Sequence, residues 1–169
     1  MNKVRYGIIG IGKQGSRYAS QLFAGMDKNA VLTAVCDRNE KRRSWAISKF
    51  GDKVKVFDTH EDLLDSGLID ALIIDTPHYE HPIIARKALE RNINVLCDKP
   101  AGVYTKAVRE VAEYAKTERP GVRFGLLYNQ RTSKVYKAAK EIIESGELGN
   151  LKRMVWIITN WYRPQAYYS

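Results

Sequence analysis

The sequence predicts an α/β fold in which helices cover both faces of a doubly wound parallel sheet. Short apolar runs alternate regularly with longer segments of helical spacing, which is the pattern of crossover units. Several of these runs are apolar at nearly every position, as expected for strands that are covered on both faces. A glycine-rich turn joins the first apolar run to the first helical segment.

Six segments are predicted as strands because they are short, rich in β-branched and other apolar residues, and bounded by turn residues. In chain order they are VRYGIIG (4–10), AVLTAVCD (30–37), KVKVF (53–57), IDALIIDTP (69–77), INVLCDKP (93–100) and VRFGLLYNQ (122–130).

Five helices are predicted between these strands from the spacing of apolar residues and from end signals. Tyr18 and Leu22 share one face of the first helix, and Thr59 is placed to cap the third. Pro82 lies in the first turn of the fourth helix, where its missing N–H does no harm. The helical segments are KQGSRYASQLFAG (13–25), NEKRRSWAISKFG (39–51), THEDLLDSG (59–67), HPIIARKALERN (81–92) and TKAVREVAEYAKTE (105–118).

The pattern changes after Gln130. The next segment predicts a helix that ends at Gly146, and residues 151–162 predict a strand with two largely apolar faces. We therefore expect residues 1–130 to form a first domain and residues 131–169 to form the first helix and strand of a second, truncated α/β domain. An uncovered apolar strand offers unpaired backbone groups to a neighbour. We expect it to be disordered, to fold back or, as the favoured outcome, to pair with a second copy in a homodimer.

Composition limits the classes of function. The net charge of +9 is spread over most predicted helices, and no helix-turn-helix, RRM or zinc-finger pattern accompanies it. We therefore expect phosphorylated ligands rather than nucleic acid as partners. No apolar run is long enough for a membrane helix and no leader pattern begins the chain, so we expect a cytoplasmic protein. Cys36 and Cys97 are expected to be buried, reduced thiols, and no metal site is expected.

The turn GIGKQG is a G-x-G-x-x-G motif that follows a strand and opens a helix, as a dinucleotide-binding loop requires. Its first glycine allows the tight turn, its second lets a pyrophosphate approach the backbone, and its third allows close packing of helix and strand. The helix N-terminus attracts the anion. The motif therefore predicts a Rossmann fold whose loop holds a dinucleotide. The loop residues are Gly10, Ile11, Gly12, Lys13, Gln14 and Gly15.

Asp37 ends the second strand, roughly 20 residues after the motif, where an acid accepts hydrogen bonds from the adenosine ribose. This placement favours NAD, because a carboxylate repels the additional phosphate of NADP. Arg38 follows at once, and Arg42 and Arg43 lie one helical turn further on. These cations are able to hold that phosphate, so NADP stays open as an alternative.

Lys99 lies in the segment CDKPAG, where the fifth strand ends. In doubly wound sheets ligands bind beyond the carboxyl ends of the strands, so Lys99 is expected on the same edge as the glycine loop. Its cation is able to stabilise alkoxide charge on a substrate or to pass a proton, with Pro100 fixing the turn that aims it.

Three motifs together resemble the Gfo/Idh/MocA family of oxidoreductases. The family pattern is G-x-G-x-x-G, then T-P-N-x-x-H after the fourth strand and E-K-P after the fifth. The chain has GIGKQG, TPHYEH and DKPAG in these places, and its segment from residue 129 onwards is similar to the family's link into a second domain. The resemblance implies an NAD(P)-dependent oxidoreductase that transfers a hydride to or from a sugar, cyclitol or related polyol.

The resemblance also implies roles for particular residues. Lys99 is implied to be the catalytic or substrate-binding lysine, and Thr76, Pro77 and His81 are implied to border the nicotinamide end of the cofactor. The residues implied to lie near the substrate are Asn129, Gln130 and Arg163.

The chain departs from the family pattern at two cofactor-binding positions. His78 stands in place of the usual asparagine, and Asp98 stands in place of the usual glutamate, whose carboxylate reaches one methylene further. Either change is able to alter the placement of the cofactor without abolishing its binding.

Members of this family are generally much longer, and the resemblance implies that their second domain supplies the base. We therefore expect this chain to bind cofactor with little turnover by itself. Two other interpretations remain: a dinucleotide-binding module that senses or carries cofactor without catalysis, and a Rossmann-type regulator that binds DNA. Lys99 favours the enzyme over the sensor, because a sensor has no need of that lysine.

Overall fold

A computed structural model of the chain describes residues 3–159, 162, 164 and 165. The chain divides into two compact units, Met1–Tyr128 and Asn129–Ser169. The predicted domain boundary after Gln130 stays a prediction.

The first unit contains a six-stranded sheet in which every neighbouring pair is parallel. The strands are β1 (Val4–Ile9), β2 (Ala30–Cys36), β3 (Lys55–Phe57), β4 (Ala71–Ile74), β5 (Asn94–Asp98) and β6 (Phe124–Leu127). Their order across the sheet is β3-β2-β1-β4-β5-β6, which confirms the predicted doubly wound arrangement. The direction of winding reverses between β1 and β4, and in such sheets the crevice at this switch point binds ligands.

Helices lie between the strands as predicted, with ends that differ from the predicted ones by a few residues. They are α1 (Lys13–Phe23), α2 (Glu40–Phe50), α3 (His60–Asp65), α4 (His81–Glu90) and α5 (Thr105–Thr117). The Asn39 side chain accepts a hydrogen bond from the Arg42 N–H, and Thr59 does the same for the Asp62 N–H. These caps begin α2 and α3 because the first N–H groups of a helix have no partner within it.

The core consists of two apolar clusters, one on each face of the sheet. Ile74 and Cys97 belong to a cluster that α3, α4 and α5 help to form. Ile8 and Val35 belong to the other, with residues from α1 and α2. Burial, reinforced by the carboxylates that follow each cysteine, raises the pKa of both Cys36 and Cys97 to about 12. Both thiols are free and buried, and they stay protonated at neutral pH.

The second unit contains α6 (Lys134–Glu144), preceded by a short 3-10 helix, Asn129–Thr132. The predicted helix therefore forms, and Gly146 with its positive φ of 78° follows its end. The strand predicted from Leu151 to Tyr162 does not form: residues 151–159 belong to no helix or strand, and residues 160 and 161 lie outside the described residues. A strand needs a neighbour to satisfy its backbone groups, and none pairs with this segment in the described structure.

The described residues contain neither a membrane-spanning helix nor a metal-binding cluster. No helix among them is long and apolar enough to cross a membrane. The same part of the chain contains no group of three or more His, Cys, Asp or Glu side chains placed to hold a metal ion.

Candidate functional site

The glycine loop between β1 and α1 contains glycines that the packing requires and one that leaves space open. A Cβ atom at Gly15 would overlap the carbonyl oxygen of Gly10, and a Cβ at Gly10 would overlap the carbonyl oxygen of Asp75. Gly10 also has a φ of +88°, which side chains rarely adopt. A Cβ at Gly12 would meet only the Arg42 guanidinium, at 3.5 Å. The protein's own packing therefore requires Gly10 and Gly15 but leaves the space above Gly12 open.

The N-terminus of α1 points into this open space. Gly12 is the N-cap residue and has no side chain to accept from the first-turn N–H groups. One of these groups, the Gly15 N–H, donates to the Asp75 carboxylate. The others have no partner within the helix, so the helix end offers N–H donors and partial positive charge to an anion.

Asp37 joins the glycine loop to the start of α2. One of its carboxylate oxygens accepts from the Ile11 N–H at 2.9 Å, and the other accepts from the Asn39 N–H at 2.8 Å. Its side chain is only 7% exposed. Because both oxygens already hold the loops in place, Asp37 has a structural role in addition to any contact with a ribose.

The three arginines after Asp37 are held by the protein itself. Arg42 pairs with the Asp37 carboxylate at 3.2 Å, and Arg38 pairs with Glu80, on the loop after β4, at 2.8 Å. Arg43 donates to the main-chain carbonyls of Asp37 and Arg38. Two of the three cations are therefore already neutralised by carboxylates.

A cavity of about 220 Å³ opens at the switch point between these loops. Its lining includes Asp37 and Arg38 on one side and Thr76, Pro77 and Glu80 on the other. The Thr76 hydroxyl is buried and has no hydrogen-bonding partner in the described residues, which is unusual for a buried hydroxyl and is expected where the partner arrives with a ligand.

His60 also lines this cavity, although no motif predicts it there. Burial lowers the pKa of its imidazole, so the ring is neutral at neutral pH. The histidine comes from the start of α3, and no spacing in the sequence connects it to the other loops.

His81 ties the loop after β4 to the loop after β5. Its Nδ1 lies 2.7 Å from the Pro100 carbonyl oxygen and its Nε2 lies 2.8 Å from the Thr76 carbonyl oxygen. The side chain is 1% exposed. His81 therefore lies beneath these loops and holds the segment with Lys99 against the segment with Thr76. The Lys99–Pro100 peptide bond is cis.

Lys99 and His78 lie at the exposed rim of this edge of the sheet. The ring of His78 stacks edge-on against His81, with centroids 5.6 Å apart. Asn129 and Gln130 belong to the second unit, and Arg163 lies outside the described residues. Their implied role near a substrate stays a prediction.

Asp75 is a residue of this edge that the sequence analysis did not single out. Burial, together with the adjacent carboxyl of Asp98, raises the pKa of Asp75 to about 7. The Gly15 N–H and the Lys99 cation oppose this rise. The only signal for Asp75 in the sequence is its position directly after an all-apolar strand. That position does not show that Asp98 lies beside it.

A family model described as an oxidoreductase family with an NAD-binding Rossmann fold, Gfo/Idh/MocA, matches residues 4–125. The chain belongs to the Gfo/Idh/MocA oxidoreductase family. The match covers β1 to β5, the start of β6 and the glycine loop. The geometry described above is therefore that of this family's NAD-binding fold.

Individual members of the Gfo/Idh/MocA family are similar to most of this chain. An inositol 2-dehydrogenase of Salmonella typhimurium is 31% identical over 86% of the chain and 43% of its own length. A crystal structure of scyllo-inositol dehydrogenase from Lactobacillus casei, with NAD(H) and scyllo-inositol bound, has a TM-score of 0.82 at 25% identity, covering 88% of this chain and 43% of that protein. The WlbA dehydrogenase of Bordetella pertussis, in complex with NADH and UDP-GlcNAcA, has a TM-score of 0.87 at 27% identity and covers 99% of this chain and 48% of that protein. The chain thus spans less than half the length of these relatives.

The residues present fit an NAD cofactor. The open space above Gly12 and the N-terminus of α1 are suited to bind a pyrophosphate, and the Asp37 carboxylate is suited to bind a ribose. Thr76, whose buried hydroxyl has no partner in the described residues, lines the same cavity as Asp37. The Gfo/Idh/MocA fold therefore provides cofactor-binding groups along one continuous edge of the sheet.

Proposed function

We propose that this chain is the cofactor-binding part of an NAD-dependent dehydrogenase that acts on a cyclitol, sugar or related polyol. The observation that carries the proposal is the glycine loop, which is open above Gly12 but closely packed against the protein's own atoms at Gly10 and Gly15. The inositol dehydrogenases among the relatives support the substrate class.

The chain's own residues would bind and orient the cofactor. The α1 N-terminus and the Gly12 backbone receive the pyrophosphate, and Asp37 accepts from the adenosine ribose. Bound NAD supplies a hydride acceptor at its nicotinamide. Lys99 donates a hydrogen bond to the substrate oxygen and stabilises negative charge on it as the carbinol carbon is oxidised. His81 is a positioning residue, because it fixes the loop that carries Lys99 and touches no reacting atom.

The first prediction is that residues 1–169 bind NAD(H) more tightly than NADP(H), by about tenfold or more. Arg38 and Arg42 are already paired with carboxylates, and a phosphate placed near Asp37 would face a buried negative charge. Isothermal titration calorimetry with both cofactors measures the ratio. Equal or tighter binding of NADP would refute the assignment of Asp37.

We also infer that residues 1–169 alone show little or no dehydrogenase activity. Lys99 is exposed in the first unit, and hydride transfer needs a base and a closed, water-poor site. Robust turnover of any polyol by the chain itself would contradict this inference but not the proposed binding of the cofactor. Cofactor binding without turnover in every longer form would instead support a binding or sensing module.

The second prediction separates catalysis by Lys99 from cofactor binding. In residues 1–169, Lys99→Ala should weaken NAD binding by less than about tenfold, because the pyrophosphate and ribose sites do not include it. In any form of the protein that shows activity, the same change should lower kcat by about 100-fold or more. Lys106→Ala removes a cation of the same kind from the exposed face of α5 and serves as the control. Equal losses of binding and turnover would mean that Lys99 mainly holds the cofactor.

A further inference from the structure

We propose that Asp75 and Asp98 hold a proton between them beneath the phosphate-binding loop, and that dinucleotide binding by this chain is coupled to the uptake of that proton. The proposal rests on the proposed function, because it concerns the affinity of the same loop for NAD. It assigns a role to Asp75 that neither the glycine motif nor the ribose-binding acid includes.

Asp75 contacts the phosphate-binding loop through both its main chain and its side chain. The residue follows β4 at the switch point, and its carboxylate accepts from the Gly15 N–H in the first turn of α1. Its carbonyl oxygen lies close enough to overlap a Cβ atom placed on Gly10, and its carboxylate oxygen lies 2.9 Å from the position of a Cβ atom on Gly15. Asp75 therefore lies directly against the loop, at the helix end to which a pyrophosphate binds.

The carboxyl of Asp98 is the neighbour of the Asp75 carboxyl. Asp98 ends β5, the next strand of the sheet, and the pairing of Ile74 with Cys97 brings Asp75 and Asp98 side by side at the ends of the two strands. Two carboxyl groups in one partly buried place do not both ionise readily, and one of them keeps its proton to a much higher pH. Burial is the largest cause of the raised pKa of Asp75, and Asp98 is the next.

Other charged groups face this pair, and they do not remove the effect. Lys99 lies on the loop after β5 and favours the ionised form of Asp75. From α1, Tyr18 faces both carboxyls; burial, opposed by a hydrogen bond from Gln14, raises the pKa of its phenol, so it stays neutral. The cavity on the other side of the loop brings Asp37, Arg38, Arg42, His60 and Glu80 near Asp75, and His81 lies buried beneath its loop.

Pyrophosphate binding and protonation of Asp75 are expected to favour each other. A bound pyrophosphate brings two negative charges to the helix end at which Asp75 lies, so it disfavours the ionised form of Asp75 and raises its pKa further. The complex therefore holds the proton at a pH where the free chain has begun to lose it, and affinity is greatest below the pKa of the free chain. Affinity falls as the pH rises through neutrality and levels off above the pKa of the complex.

The test is a titration of residues 1–169 with NAD by calorimetry at about pH 6, 7 and 8, in buffers of different ionisation enthalpy. We expect the wild-type chain to bind about fivefold more weakly at pH 8 than at pH 6, because a pKa that rises by about one unit on binding has its full tenfold effect only over a wider pH range. We also expect net proton uptake on binding near neutral pH. A flat affinity with no proton uptake would overturn the proposal.

Variants identify the group that carries the proton. Asp75→Asn keeps an acceptor for the Gly15 N–H and a donor for Asp98, so it imitates the protonated form of Asp75. This variant should therefore bind NAD at all three pH values as tightly as the wild type does at low pH. Asp98→Asn removes one cause of the raised pKa and should move the transition to lower pH. Asp52→Asn removes one charge from an exposed site away from the loop and should behave as wild type. An Asp75→Asn chain with wild-type pH dependence would refute the assignment.

A stability measurement needs no ligand and covers the case in which a variant binds poorly. Folded Asp75 holds a proton that the unfolded chain releases, so the free energy of unfolding should fall as the pH rises from about 4 to about 7. Asp75→Asn should reduce this fall, whereas Asp52→Asn should not. Absence of NAD binding at every pH would instead refute the proposed function, and the stability data would still decide the state of Asp75.

Discussion

Gly12→Val is expected to abolish measurable NAD binding by residues 1–169 while leaving the chain folded. A Cβ atom at Gly12 has no backbone atom among its nearest neighbours and meets only the Arg42 guanidinium, which is half-exposed and able to move. The same side chain fills the space that a pyrophosphate needs and separates it from the N–H groups of α1. Loss of these charge-assisted contacts should weaken binding by about 100-fold or more.

Two other glycines serve as comparisons for this experiment. Gly15→Val should unfold the loop, because its side chain would overlap the Gly10 carbonyl oxygen. Gly121→Val adds the same side chain at an exposed turn with nothing within 4 Å, and should change neither folding nor binding. Calorimetry with NAD and thermal unfolding followed by circular dichroism measure both properties. A Gly12→Val chain that unfolds like Gly15→Val, or binds like Gly121→Val, would contradict this division of the motif.

The sequence allowed the fold to be predicted because local signals and the sheet pattern agree. Uniformly apolar strands such as Ala71–Ile74, end signals such as Thr59 and a glycine turn between strand and helix all indicate the same architecture. The segment from residue 151 onwards was different. Its composition favours a strand, but strand formation depends on a partner that the described structure does not provide.

The sequence predicts those candidate site residues that belong to a motif of fixed spacing or to the family resemblance. The glycine motif and Asp37 follow fixed spacings, and the resemblance placed Lys99 and His81. The pairing of Arg38 with Glu80 and of Asp75 with Asp98 joins different loops of the sheet edge. Such pairs depend on side-chain direction and burial, which no sequence spacing encodes.

Asp37→Ala is expected to weaken NAD binding by about 10- to 100-fold and to reverse or abolish the preference for NAD over NADP. The change removes the acceptor for the adenosine ribose and the negative charge that opposes a phosphate. It also releases Arg42 from its ion pair, and Arg38 and Arg43 lie beside the same position. Titration with both cofactors measures the ratio of affinities.

The same substitution should lower the stability of the chain without ligand. Asp37 accepts hydrogen bonds from the buried Ile11 N–H and from the Asn39 N–H, and alanine leaves both without this acceptor. An unsatisfied buried donor costs about 1–3 kcal/mol, so the free energy of unfolding should fall by an amount in that range. Asp52→Ala, which removes a carboxylate from an exposed turn, provides the charge-matched control. If Asp37→Ala keeps both the stability and the NAD preference of the wild type, then Asp37 neither supports the glycine loop nor binds the ribose. The arginines would then select the cofactor instead.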